Sequence, residues 1–279
     1  MVASWRRNAH MCSMERSFLL LFCLAIMVPA PASAGSSDWV EVQGGRVRLV
    51  TAGGADAKGV LRGALDIDLE PGWKTYWRDP GDAGVPPQLD VSKSDNIDNA
   101  DMQFPAPVRV NDGYSVWAGY TRSVAFPISF TLASPEQPTL IEADIFLGIC
   151  ETICIPVQAT LKLDPAGGAG NEGELRLVGA AFSALPAAAT VAFGAEMLSS
   201  DDKEMLVSVN LPGETTAIEL FVAGDSGYMF GVPQRVDREN ATVFAVPILG
   251  RPAMRPEGGG LPYTLTAGSA SVEGTLTYP

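Results

Sequence analysis

In Ile141-Glu-Ala-Asp-Ile-Phe-Leu-Gly-Ile-Cys150-Glu-Thr-Ile-Cys154-Ile-Pro-Val-Gln-Ala-Thr-Leu-Lys-Leu163, apolar side chains recur at every second position on both sides of a three-residue break. Period two is the mark of a strand with one wet face, so the stretch predicts two strands, Ile141 to Ile149 and Ile155 to Leu163. On the first, Ile141, Ala143, Ile145, Leu147 and Ile149 share a face, and Cys150 falls with Glu142, Asp144, Phe146 and Gly148. On the second, Ile155, Val157, Ala159, Leu161 and Leu163 share a face, which leaves Cys154 with Pro156, Gln158, Thr160 and Lys162. Both sulfurs are expected outside the core. Residues four apart in a continuous strand have Cα atoms ~13 Å apart, beyond the ~4.4 to 6.8 Å that a disulfide allows. If Glu151-Thr152-Ile153 is a tight turn, the two cysteines face each other across a hairpin and can be bridged.

Such a bridge closes so small a loop that chain entropy credits it with only ~2 kcal/mol. It is a weak staple and is better suited to opening and closing, because exposed or strained disulfides are the labile ones. A structural disulfide at a hairpin tip remains a second reading. A third is a Cu(I) site, but the segment holds no methionine, histidine or third cysteine to complete one, and no metal ligand set is predicted. Glu142, Asp144 and Glu151 are expected to raise a neighbouring thiol's pKa. The pair would then exchange with specific partners and otherwise stay unreactive.

Outward from the hairpin, Val47 to Val50, Val60 to Leu69 and Val124 to Leu132 read as further strands. Leu65-Asp66-Ile67-Asp68-Leu69 has the cleanest alternation. Beyond Asp164-Pro-Ala-Gly-Gly-Ala-Gly-Asn-Glu-Gly173, which reads as a flexible linker over 165–173, strands are expected at Leu206 to Leu211, Ala217 to Val222, Thr242 to Ile248, Tyr263 to Ala267 and Val272 to Tyr278. The one helical stretch is Gly179 to Leu185, stopped by Pro186. With 29 glycines and 21 prolines punctuating short strands, the fold class is all-β: two immunoglobulin-like β-sandwiches in tandem, 35–164 and 174–279.

The 279 residues include four cysteines and a single histidine, His10. Phe18 to Ala30 is an apolar run preceded by Arg6, Arg7 and Arg16 and followed by Ala32-Ser33-Ala34, a small-residue cleavage pattern. The run is shorter than the ~20 residues of a membrane span, so residues 1–34 are expected to be a cleaved signal peptide and the protein to have no membrane span. Cleavage after Ala34 removes His10, Cys12 and Cys23. It leaves Cys150 and Cys154 with no histidine for acid–base, Ser-His or Cys-His chemistry or for imidazole–zinc ligation. The formal charge of −13 repels phosphate backbones, excluding nucleic acid as a natural partner, and favours a monomer. Asp79-Pro-Gly-Asp82 and the acids at Asp95, Asp98 and Asp101 lack the ligand ladder of a calcium loop.

Cys150-x-x-x-Cys154-Ile-Pro, with Gly72-Trp-Lys-Thr-Tyr-Trp-Arg-Asp-Pro-Gly-Asp-Ala-Gly-Val-Pro-Pro87 and Phe104-Pro-Ala-Pro107, resembles the N-terminal periplasmic domain of the thiol:disulfide interchange protein DsbD. It is closer still to the two-domain N-terminal region of the related suppressor-of-copper-sensitivity membrane reductases of Gram-negative bacteria. The DsbD domain spaces its cysteines further apart. The resemblance covers most of Asp38 to Leu163 and, more weakly, the second part through Pro262 to Gly268 and Val272 to Thr275. It implies a periplasmic protein-disulfide reductase or dithiol carrier with no cofactor. Cys150 and Cys154 would relay electrons from a transmembrane thiol reductase to thioredoxin-like periplasmic proteins, with cytochrome c maturation and copper tolerance among the processes served. The chain lacks the transmembrane helices and the Cys-x-x-Cys domain of full-length reductases, so a separate chain is expected to supply its electrons. The resemblance further implies Cys154 as the attacking residue and Cys150 as the resolving one. It implies a mobile cap loop over the pair at Arg109 to Tyr120, with Tyr114, Trp117 or Tyr120 as its cover, and Tyr76 beside a sulfur. Trp73 and Trp77 are expected to fill the core beneath.

Overall fold

Leu65-Asp66-Ile67-Asp68-Leu69 folds as its alternation requires. Leu65 and Ile67 are fully buried, while Asp66 and Asp68 point outward to the guanidinium groups of Arg48 and Arg46, each at 3.0 Å. The computed structural model describes Met1 and residues 34–81, 84–167, 171–213, 215–238 and 241–279. The expected signal segment lies outside the described residues except for Met1 and Ala34.

The chain runs through β1 (Ala34–Ser36), β2 (Val40–Val42), β3 (Gly45–Ala52), β4 (Val60–Leu69), β5 (Lys74–Tyr76), β6 (Gln88–Asp90), β7 (Ile97–Met102), β8 (Val108–Asn111), β9 (Val116–Tyr120), β10 (Val124–Leu132), β11 (Ile141–Cys150) and β12 (Cys154–Leu163). After α1 (Glu172–Ser183) come β13 (Ala187–Ala188), β14 (Gly194–Ser200), β15 (Glu204–Asn210), β16 (Ile218–Val222), β17 (Met229–Phe230), β18 (Gln234–Arg238), β19 (Ala241–Gly250), β20 (Leu261–Ala267) and β21 (Ala270–Leu276). Among the described residues the fold is all-β apart from α1.

Two sheets form the first half: β1-β3-β4-β10-β7 with β2 beside β3, and β12-β11-β5-β9-β8 with β6 beside β11. Leu49, Leu65, Ile67, Phe126, Ile128 and Phe130 from one sheet meet Ile141, Ala143, Ile145, Leu147 and Ile149 from the other in a common core. In the second half, β13-β21-β20-β16 and β14-β15-β19-β17, with β18 beside β19, enclose a core around Met205, Val207, Leu220, Val246 and Leu265. The halves are not independent, because Phe221 and Ala223, at and just past the end of β16, pack in the first core.

The helix departs from expectation. It begins at Glu172 rather than Gly179, so Glu172 and Gly173 are its first turn and not the end of a linker; of that linker, residues 168–170 lie outside the described residues. Asn171 caps it, its side-chain oxygen accepting the Gly173 N–H at 2.9 Å. Glycines at 173 and 179 dilute the helical pattern, which hid its start. Its buried residues Val178 and Ala181 pack on Val50 and Ala64, on the outer face of the first sheet.

Candidate functional site

β11 and β12 form a hairpin paired without interruption from Ile141↔Leu163 to Cys150↔Cys154. The turn at Glu151-Thr152-Ile153 brings the cysteines face to face, with Cα atoms 4.2 Å apart, and they are joined as a disulfide. Facing residues of a non-hydrogen-bonded antiparallel pair stand about this close, so the ladder itself positions the sulfurs.

The strand alternation places the pair on the correct face but not at the expected exposure. Cys150 lies opposite the main core, yet it is only 1% exposed, because Tyr76 from β5 and Trp117 from β9 close over it in a second, smaller cluster. Cys154 is partly exposed at the rim of that cluster. Alternation reports which face a side chain takes, whereas its cover here comes from strands remote in sequence. The two sulfurs are thus unequal: one is shielded and one is reachable.

Tyr76 is buried, and its phenol oxygen lies 2.8 Å from Cys154 Sγ. A disulfide sulfur carries no hydrogen, so the phenol donates. Burial, and secondarily the Asp112 carboxylate, push the phenol's pKa above its usual value, which keeps that donor protonated. The ring can lie flat against β11 because residue 148 is glycine. A Cβ there would come 3.1 Å from the Tyr76 ring and 3.0 Å from Val85.

Trp117 stands edge-on to Tyr76 at 5.9 Å. Its Nε1 donates to Asp112 Oδ2 at 3.1 Å, and the Lys74 ammonium sits 4.4 Å over its ring while also pairing with that oxygen at 3.1 Å. Asp112 Oδ1 accepts the backbone N–H groups of Ser115 and Tyr114 at 3.0 and 3.1 Å. The Ser115 N–H, then Lys74, then the Tyr114 N–H hold this carboxyl far below the ordinary aspartate range. Asp112 thereby ties the turn between β8 and β9 to the tryptophan covering Cys150.

Several expectations need correction. Arg109 to Tyr120 is not a loop: only 112–115 is turn, between paired β8 and β9. The Ala118-Gly119 step lies within β9, where a Cβ on Gly119 would meet the Thr75 carbonyl oxygen at 2.3 Å. Tyr120 does not line the site; its hydroxyl donates to the Pro105 carbonyl at 2.7 Å and its ring packs on Phe126 in the main core. Tyr114 is 98% exposed at the turn, away from the cover that Trp117 provides. Trp77 fills the core as expected, and Trp73 packs partly buried against it.

Of the three acids expected to raise the thiol pKa, Glu151 stands in the turn beside Cys150, but the other two are placed elsewhere. Glu142 and Asp144 pair with Lys162 and Lys93 at 2.6 and 2.7 Å. Being eight and six residues before Cys150, they lie roughly 26 and 20 Å along the strand, beyond the screening length of physiological salt. Lys74 and Asp112 escaped the sequence reading. Lys74 shares a face with Tyr76 two residues on, but a strand of three residues is too short for alternation to mark it.

A family model for the N-terminal domain of the thiol:disulfide interchange protein DsbD matches residues 47–165. Residues 47–165 belong to the DsbD N-terminal family. Every group around the disulfide lies within this DsbD N-terminal domain, which ends just past β12, and family membership makes it a thiol–disulfide exchange domain. The crystal structure of the N-terminal periplasmic domain of ScsB from Proteus mirabilis superposes with a TM-score of 0.70 at 20% identity, covering 88% of this chain and 99% of that one. At that identity the likeness is one of fold, and it extends past the DsbD N-terminal domain into the second half. No curated protein sequence matches the chain. Among the described residues no helix is long and apolar enough to cross a membrane, and no group of three or more histidine, cysteine or acidic side chains is placed to hold a metal.

Proposed function

We propose that this protein relays reducing equivalents in the periplasm through Cys150 and Cys154, taking them from a transmembrane thiol reductase and passing them to exported thioredoxin-like partners. The observation that carries the reading is the inequality of the two sulfurs. Cys154 is reachable and hydrogen-bonded by Tyr76 at 2.8 Å, while Cys150 is 1% exposed beneath Tyr76 and Trp117. In the reduced protein the Cys154 thiolate attacks a partner disulfide. A Cys154–partner disulfide forms as one partner sulfur leaves as thiolate. Cys150, deprotonated, then attacks Cys154 Sγ and releases the second partner thiolate. The partner gains two electrons and the pair closes to the disulfide seen here. Recharging is the reverse, with a reductase dithiol opening the bond at Cys154. The carrier is the sulfur pair itself, with no metal or organic cofactor.

Activation fits the same geometry. A phenol donating to Cys154 stabilises a thiolate more than a thiol, and no histidine is needed. The second half, residues 174–279, is read as a further sandwich of the same chain that carries no redox group.

The test is trapping in the native host. Cys150→Ala leaves the reachable thiol without its resolving partner and should accumulate mixed disulfides with exported proteins. Cys154→Ala, which keeps only the covered thiol, should accumulate few. If neither variant captures a protein under conditions that trap a control oxidoreductase, the disulfide is structural and the relay reading fails.

A further inference from the structure

The hairpin that covers Cys150 is also where the two halves of the molecule meet. β8 is the outermost strand of its sheet, and its pairing with β9 spans four positions, Val108↔Gly119 to Asn111↔Val116. Whereas β9 also pairs with β5, β8 is held in its sheet by this one short pairing. Its successive residues face opposite ways. Val110 packs in the small cluster with Tyr76, Trp117 and Cys150, whereas Arg109 turns to the second half. There Arg109 Nε donates to Glu219 Oε2 at 3.0 Å and Nη2 donates to the Leu220 carbonyl oxygen at 2.7 Å. The guanidinium lies 4.5 Å from the centre of the Phe221 ring. Three consecutive residues of β16 therefore grip one side chain, which is only 17% exposed. The neighbouring segment is fastened at the same end of β16. Asp79 Oδ2 accepts the Gly224 N–H at 2.7 Å, and Phe221 packs on Trp77 at 5.8 Å.

We infer that Arg109 is a positioning residue for the redox site: by fastening β8 to β16 it holds the β8–β9 hairpin down over Cys150 and, through Trp117 edge-on to Tyr76, keeps the Tyr76 hydroxyl on Cys154, which sets how readily a thiol reaches that sulfur. The second half would thus act on the pair without contributing a redox group. A planar guanidinium suits this role because its fork meets a carboxylate and a carbonyl at once and its face stacks on a ring. The inference rests on the exchange reading of the site, but its readout requires no biological partner.

The experiment measures the rate at which dithiothreitol reduces the Cys150–Cys154 bond in the full chain, well below the melting temperature. Arg109→Ala should be reduced faster by about tenfold, the change in a local opening equilibrium that loss of charge-assisted hydrogen bonds brings. Arg109→Lys, which can reach Glu219 but cannot also fork to the Leu220 carbonyl, should fall between. Amide exchange separates positioning from general destabilisation: protection should fall at Val110 and Trp117 and hold in β4. Should Arg109→Ala fail to fold, Glu219→Ala decides, with a faster reduction supporting the brace and a wild-type rate overturning it. Wild-type rates in folded Arg109→Ala and Glu219→Ala proteins also overturn it. If trapping finds no partner while these rates still rise, the brace stands and the relay reading alone falls.

Discussion

Tyr76 joins both sides of the site, its ring lying over Cys150 and its hydroxyl reaching Cys154. Tyr76→Phe separates the two roles by keeping the cover and deleting the donor. In a Cys150→Ala background, where Cys154 is the reacting thiol, iodoacetamide should alkylate the Phe variant about tenfold more slowly at neutral pH, because a hydrogen bond to a charged group stabilises it by ~1.5 kcal/mol or more. Equal rates would mean that the phenol serves the disulfide state only. Part of this scale was legible from one segment: the face each cysteine takes follows from alternation, and the spacing permits a bridge only if 151–153 turns tightly, which it does. The burial of Cys150 was not, since Tyr76 and Trp117 reach it from strands whose pairing no local pattern encodes. Tyr120 was misplaced for a related reason, as its fate depends on a carbonyl at Pro105 fifteen residues away.

At the scale of elements, long strands with a wet face declared themselves. β4 and β10 begin and end where alternation places them, at Val60–Leu69 and Val124–Leu132. The three-residue β5 and four-residue β8 offer too few positions for a period to register, and the site is built on them. Glycine at 148 is what lets β5 lay an aromatic ring on β11. Gly148→Ala inserts a methyl at 3.0 to 3.1 Å from Val85 and Tyr76, tight enough that the ring must shift. It should cost about 1 kcal/mol in a denaturant melt, as overpacking does, and should quicken reduction of the disulfide by dithiothreitol. An unchanged melt together with an unchanged reduction rate would show that the cover tolerates the displacement. β12, an outer strand of its sheet, carries Pro156 and Lys162 exposed along its length, residues that discourage pairing with another chain beside a reactive sulfur.

Across the whole molecule, Phe221 joins the halves, packing on Trp77 and beneath Arg109. Phe221→Ala should remove about 3 kcal/mol and split a single calorimetric transition into two, since a core residue contributed by the other half couples their unfolding. A single transition at the wild-type temperature would show that the halves are held together elsewhere. Nothing in the sequence marks Phe221 for this role, because a buried phenylalanine at a strand end looks the same whichever core receives it. One further consequence follows from the ladder that runs unbroken from Ile141↔Leu163 to Cys150↔Cys154. Backbone pairing along ten positions secures the hairpin whether or not its last rung is covalently closed. Oxidation and reduction then need displace little beyond two sulfur atoms and their protons, so the relay proposed above would start each round on a scaffold that is already built.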